Sequence, residues 1–110
     1  MRSPEPSELV PALLEPLLDD FLYWFGQSID RLETAPLAFM DAAEQQQLLQ
    51  SIQTAVQEVR SAKALLQATG VGVAPETLAT WHHWVMQGWH VAQQQRSAES
   101  ASGDDNIQQQ

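Results

Sequence analysis

The sequence predicts an all-α fold: an antiparallel three-helix bundle, made of a helical hairpin with a third helix packed on it. Three observations point there. Three stretches carry apolar residues at helical spacing. Turn and cap residues separate them at Thr34-Ala35-Pro36 and at Gly70 to Ala74. No alternating strand pattern occurs beyond Val71 and Val73. Helices joined by short links bring neighbours antiparallel and bury their apolar faces on one another.

Residues 1–7 are polar and proline-rich and read as a flexible arm. Ser7 suits a helix N-cap, and Pro11 lies close enough to the first turn to be tolerated. The first helix then sets Val10, Leu14, Leu17, Leu18, Phe21, Phe25, Ile29 and Leu32 on one face, with Asp20, Tyr23, Gln27, Asp30 and Glu33 opposite. Pro16 removes a backbone hydrogen bond in its interior. The preferred reading is a kinked helix; the alternative is a short first helix with a new one starting at Pro16. Leu37 and Phe39, in the connection, are expected to plug the end of the core.

Asp41-Ala42-Ala43-Glu44 has the form of a capping box with Asp in place of Ser or Thr. The second helix follows, with Leu48, Ile52, Val56, Val59 and Leu66 as its seam and Gly70 as a left-handed C-terminal cap. Gln45, Gln46, Gln47, Gln50, Gln53 and Gln57 read as a weakly charged polar face. Pro75 suits the first position of a third helix and Glu76 its positive N-terminal end. Leu78, Trp81, Val85, Trp89 and Ala92 define that helix's apolar face, with His83, Gln87, His90 and Gln94 opposite. Beyond Arg96 the chain holds too little apolar surface to offset the entropy of ordering, so 97–110 reads as a disordered tail and 8–96 as the helical domain.

Composition narrows the function. The net charge is −9, from 14 acidic and 5 basic residues. The five cations form no run, which argues against nucleic acid and against an anionic lipid surface. A basic protein partner is the electrostatically favoured kind. With no Cys, disulfides, thiolate metal sites and cysteine nucleophiles are excluded. The N-terminus does not read as a signal peptide, and Leu9 to Phe25 is broken by prolines and acids, so no transmembrane segment is expected. These features predict a soluble, cytoplasmic protein.

No constellation reads as an active site, and no enzyme, metal or cofactor is expected. The third helix carries Trp81-His82-His83-Trp84 and Trp89-His90. A helix chelates a metal through histidines three or four apart. Here the spacings are one, seven and eight, and His83 and His90 stand two turns apart, roughly 10 Å by helical rise. Trp81 and Trp89 read as core. Trp84 and Val91 read as an exposed shoulder suited to a protein partner. Phe21 to Gly26 is apolar nearly all round, which suggests a second protein surface through Tyr23 and Trp24, such as a homodimer contact. The bland alternative is that Leu13 and Trp24 only widen the core toward the third helix. Lys63 falls in the apolar seam of the second helix and is expected to reach outward or to pair with an acid such as Asp30. Asp19-Asp20 and Asp104-Asp105 read as solvated charge.

The run Leu-Leu-Glu-Pro-Leu-Leu-Asp-Asp-Phe-Leu-Tyr-Trp-Phe over 13–25 resembles the opening of a family of small cyanobacterial helical proteins, a domain of unknown function. The Gln- and Ala-rich stretch from Glu44 to Leu66 is similar to that family as well, as is Trp81-His82 through Trp89 to Ala92. The resemblance spans about 9–95. It implies a helical fold, a cyanobacterial cytoplasm or a place peripheral to thylakoids, and it transfers no catalytic residue. The resulting expectation is a non-enzymatic interaction or assembly factor presenting Tyr23, Trp24, Trp84 and Val91. The alternative is a carrier of a small apolar ligand or pigment along the Trp/His-rich third helix.

Overall fold

The computed structural model describes the backbone over residues 6–108 and the side chains over residues 12–98. It is all-α, with helices α1 (Pro6–Thr34), α2 (Ala42–Thr69) and α3 (Pro75–Gln108). The arm read over 1–7 and the tail read over 97–110 lie almost wholly outside the residues whose side chains are described.

α1 is one continuous helix through Pro11 and Pro16. The alternative reading, a short first helix with a new one starting at Pro16, does not hold. The missing N–H of Pro16 frees the carbonyl of Ala12, and both residues are exposed, so water can take that carbonyl. α2 begins as the capping pattern predicts. Asp41 is extended (φ −77°, ψ 165°) and its carboxylate accepts from the Glu44 amide at 2.8 Å. That amide bond, with a further bond to the Glu44 side chain, holds the Asp41 carboxyl below its ordinary range. The Glu44 carboxyl is pushed up by the same contact and by the Asp41 charge. At the other end Gly70 is left-handed (φ 75°) and donates its N–H to the Leu66 carbonyl at 2.8 Å. α3 opens at Pro75, with the Ala74 carbonyl accepting from the Thr77 and Leu78 amides.

The direction of packing follows from paired residues. Glu15 meets Gln67, Asp19 meets Lys63, and the Leu32 carbonyl meets Gln45, so α1 and α2 form an antiparallel hairpin. Phe21 meets Trp81 and Ser28 meets Gly88, so α3 runs parallel to α1. α1 is the hub: it packs extensively on both other helices, which touch each other little. The core along it is Leu14, Leu18, Phe21, Phe25 and Leu32. α2 contributes Ile52, Ala55, Val56, Val59 and Leu66, and α3 contributes Trp81, Val85, Val91 and Ala92. Trp81 satisfies its indole N–H on the Glu58 carboxylate at 3.1 Å. Leu37 plugs the end of the core, whereas Phe39 stays about one-third exposed and outside the core cluster.

Two features depart from the sequence reading. Gln45, placed above on a solvated face, is buried. Its Oε1 accepts from the Leu37 amide at 2.9 Å, and its Nε2 donates to the carbonyls of Leu32 at 2.8 Å and Ala35 at 2.9 Å. One side chain thus ties off the last turn of α1 and the link to α2, both of which hold backbone groups with no helical partner. Lys63 pairs with Asp19, not Asp30, because the antiparallel register brings 63 beside 19. The hydrogen bond to Asp19 raises the Lys63 pKa. The pair is solvated and adds little to stability.

Two substitutions test this frame. Gln45→Ala strands a buried amide and two carbonyls, so it should cost roughly 1–3 kcal/mol or more in chemical denaturation. Gly88→Ala should also destabilise, although Ala is the better helix former. A Cβ at Gly88 would lie 2.0 Å from Ser28 Oγ and 3.0 Å from Ser28 Cβ. The overpacking penalty of about 1–3 kcal/mol outweighs a propensity gain of about 1 kcal/mol. Ser28→Gly should recover part of that loss; a Gly88→Ala variant as stable as the parent would contradict the close crossing.

Candidate functional site: an exposed aromatic face on α1 and α3

The α1–α3 crossing sets the site. Ser28 is buried and donates its hydroxyl to the Trp24 carbonyl one turn earlier, at 3.0 Å. With its polar atom satisfied inside its own helix, Ser28 presents a small surface to Gly88. Two small residues let the helices approach closely. The core stripe of α3 therefore runs Leu78, Trp81, Val85, Gly88, Ala92. This corrects the expectation that Trp89 lies in the core: the glycine takes the inward position and turns Trp89 out to the shoulder of α3.

There Trp89 meets Trp24 of α1 edge to face, with ring centroids 5.4 Å apart at 86°. Tyr23 continues the cluster, edge-on to Trp24 at 5.0 Å. Trp24 is 38%, Trp89 41% and Tyr23 59% exposed. Below the tryptophans, Arg31 and Arg96 join Ala92 and Gln93 in an open cleft of about 330 Å³. Two of the chain's five cations therefore stand beside the aromatic pair. Among the described residues neither is in an ion pair. Toward the N-terminal end of the same α1 shoulder lie exposed Leu13 and Leu17, and exposed Met86 lies one turn before Trp89 on α3.

Of the four residues singled out from sequence, the structure brings Tyr23 and Trp24 together on this face. It does not add the other two. Val91 is 5% exposed and belongs to the core, so it offers no surface. Trp84 is half-buried on the opposite, α2-facing shoulder of α3. It packs against the core there and lines a groove with Gln50, Thr54 and Glu58. Trp84 covers the thin α2–α3 seam, which one residue's shift in the inward stripe demands. Trp89 was the residue missed, and Gly88 was its signal: a glycine inside a helical pattern marks close backbone approach.

Three-residue groupings of His, Cys, Asp and Glu able to hold a metal do not occur among the described residues. His90 hydrogen-bonds Gln94 on an exposed face, and His82 and His83 are also exposed. The clefts among the described residues are open grooves rather than enclosed cavities. No helix of the described residues is long and apolar enough to cross a membrane.

A family model described as a protein of unknown function (DUF2605) matches residues 4–97. The chain belongs to the DUF2605 family. No curated protein and no solved structure matches it. The matched span of this DUF2605 chain includes the aromatic face entire, from Leu13 through Arg96.

The two tryptophan environments predict opposite mutational responses. Trp81→Ala empties the centre of the core, so it should cost about 3–5 kcal/mol. Trp89→Ala removes a part-exposed ring and an edge-to-face pairing worth about 0.5–1.5 kcal/mol beyond its partial burial, so it should cost less than Trp81→Ala. Thermal unfolding of the two variants by circular dichroism checks the assignment, and a larger loss for Trp89→Ala would reverse it.

Proposed function

We propose that this protein is a non-enzymatic interaction or assembly factor whose contact surface is the α1–α3 face around Trp24 and Trp89. The observation that carries the reading is the Trp24–Trp89 pair, two large aromatic side chains meeting edge to face while each stays about two-fifths exposed. Interfaces draw their energy from a few aromatic and Arg anchors, and such residues collect near the centre of the contact. Tyr23 and the two arginines supply the polar rim. The chain as a whole favours a basic partner, but this face does not, because it holds Arg31 and Arg96. The partner's matching surface is apolar with mixed or negative charge.

A cyanobacterial host, and a place in the cytoplasm or at the thylakoid surface near photosynthetic assemblies, form part of this proposal. Their support is the sequence resemblance over 9–95.

Affinity capture by the tagged protein from soluble and membrane fractions of its host tests the surface. The double variant Trp24→Ala/Trp89→Ala should lose the captured partner while keeping its helical circular dichroism. Leu65→Ala, which trims an exposed apolar residue of α2 away from this face, should retain it. Capture that survives the double Trp variant would place the contact elsewhere.

A further inference from the structure

The charges on the aromatic face are arranged so that the face complements itself. Leu17, Asp20, Trp24, Gln27 and Arg31 recur at intervals of three and four along α1 and share one exposed-side stripe. Asp20 and Gln27 are exposed and Arg31 is half-exposed; Trp24 lies between the acid and the base. Consider two copies of α1 packed antiparallel, with a two-fold axis midway between Trp24 and Gln27. Residue numbers facing each other then sum to a constant. Asp20 lies across from the partner copy's Arg31, and Arg31 across from its Asp20. Trp24 lies across from Gln27, and the symmetry makes each contact twice, as an isologous interface must. A parallel arrangement would instead oppose Asp20 to Asp20 and Arg31 to Arg31, which like-charge repulsion disfavours.

We propose that the α1–α3 aromatic face is covered by a second copy of this chain, packed antiparallel about a dyad beside Trp24, with reciprocal Asp20–Arg31 ion pairs fixing the register. This rests on the reading of the face as a protein contact and names its occupant. Trp24 sits at the centre of the contact, buttressed by Trp89, and the charge pairs flank it, the anatomy of an apolar core within a polar rim. Gln27 supplies an amide able to reach the indole N–H of the opposing Trp24. The net charge of −9 on each copy opposes association at long range. At about 0.15 M salt the Debye length is about 8 Å, so the net repulsion is screened more than a close contact pair.

Sedimentation of the full chain at that ionic strength, from micromolar to sub-millimolar concentration, tests the proposal. Wild type should shift from monomer to dimer over the range. Asp20→Arg and Arg31→Asp should each weaken the dimer roughly tenfold or more, since each reverses two symmetric contacts. The double variant Asp20→Arg/Arg31→Asp should restore it, because the reversed pairs complement one another again. Both positions lie outside the buried core, and circular dichroism verifies that the helices persist. A wild type that stays monomeric throughout, or a dimer that the double swap fails to rescue, overturns this dyad. The broader reading of the face is judged separately by the Trp24/Trp89 capture experiment, so the two failures are distinguishable.

Discussion

The arrangement of the molecule depends on one close approach, Ser28 of α1 against Gly88 of α3. A glycine inside a helix costs about 0.5–1 kcal/mol relative to Ala. Here that cost is offset by what the missing Cβ permits: a Cβ would meet the Ser28 hydroxyl at 2.0 Å. The position of this contact along α3 decides which residues turn inward. With Gly88 inward, Val85 and Trp81 lie one and two turns before it on the same stripe, and Ala92 follows one turn after. Trp89 is then rotated off the stripe by one residue, onto the shoulder that faces Trp24. The aromatic face is thus a geometric consequence of where the two helices can touch.

α1 serves as the hub because it alone has two apolar shoulders. One takes α2, with Asp19–Lys63 and Glu15–Gln67 along the outer edge of that contact. The other takes α3 through Phe21, Phe25 and Ser28. α2 and α3 are left to meet only lightly, and Trp84 and the Trp81–Glu58 hydrogen bond close the gap between them. At the foot of the hairpin, Gln45 does what a long run of loop residues would otherwise require. It satisfies an amide and two carbonyls at once, and so lets a short link turn the chain without exposing the end of the core.

Helix number, caps and most of the core were legible in the sequence, because each rests on a local signal. Asp41 and Gly70 are read from the two ends of α2 alone, and the faces of α1 and α2 follow from spacing. Long-range choices were not legible in the same way. The wheel of α3 offers two neighbouring apolar stripes, one through Trp89 and one through Gly88 and Val91, and apolar content favours the first. What selects the second is the distance to α1, a property of the pair rather than of either helix. The same holds for Gln45, one glutamine among seven on α2 that polarity cannot separate. Only the tertiary contact with Leu32, Ala35 and Leu37 distinguishes it. Lys63 lacked its correct partner for the matching reason, since the hairpin register is fixed by packing.

The exposed tryptophans are not required to close this fold. Trp81 fills the centre of the core with its polar atom satisfied, and the α1–α3 contact is made by Ser28 and Gly88. A polar residue at 24 or 89 would leave those contacts in place and remove the cost of showing large apolar rings to water. The edge-to-face pairing returns only about 0.5–1.5 kcal/mol, less than full burial of two aromatic side chains would supply. The surface around them is also where the chain concentrates two of its five cations, in a molecule otherwise dominated by acid. Aromatic side chains beside Arg, and opposite-sign charges spaced symmetrically about the point midway between Trp24 and Gln27, are features that stability of the single chain does not explain. They acquire a physical purpose when a second surface excludes water from the pair.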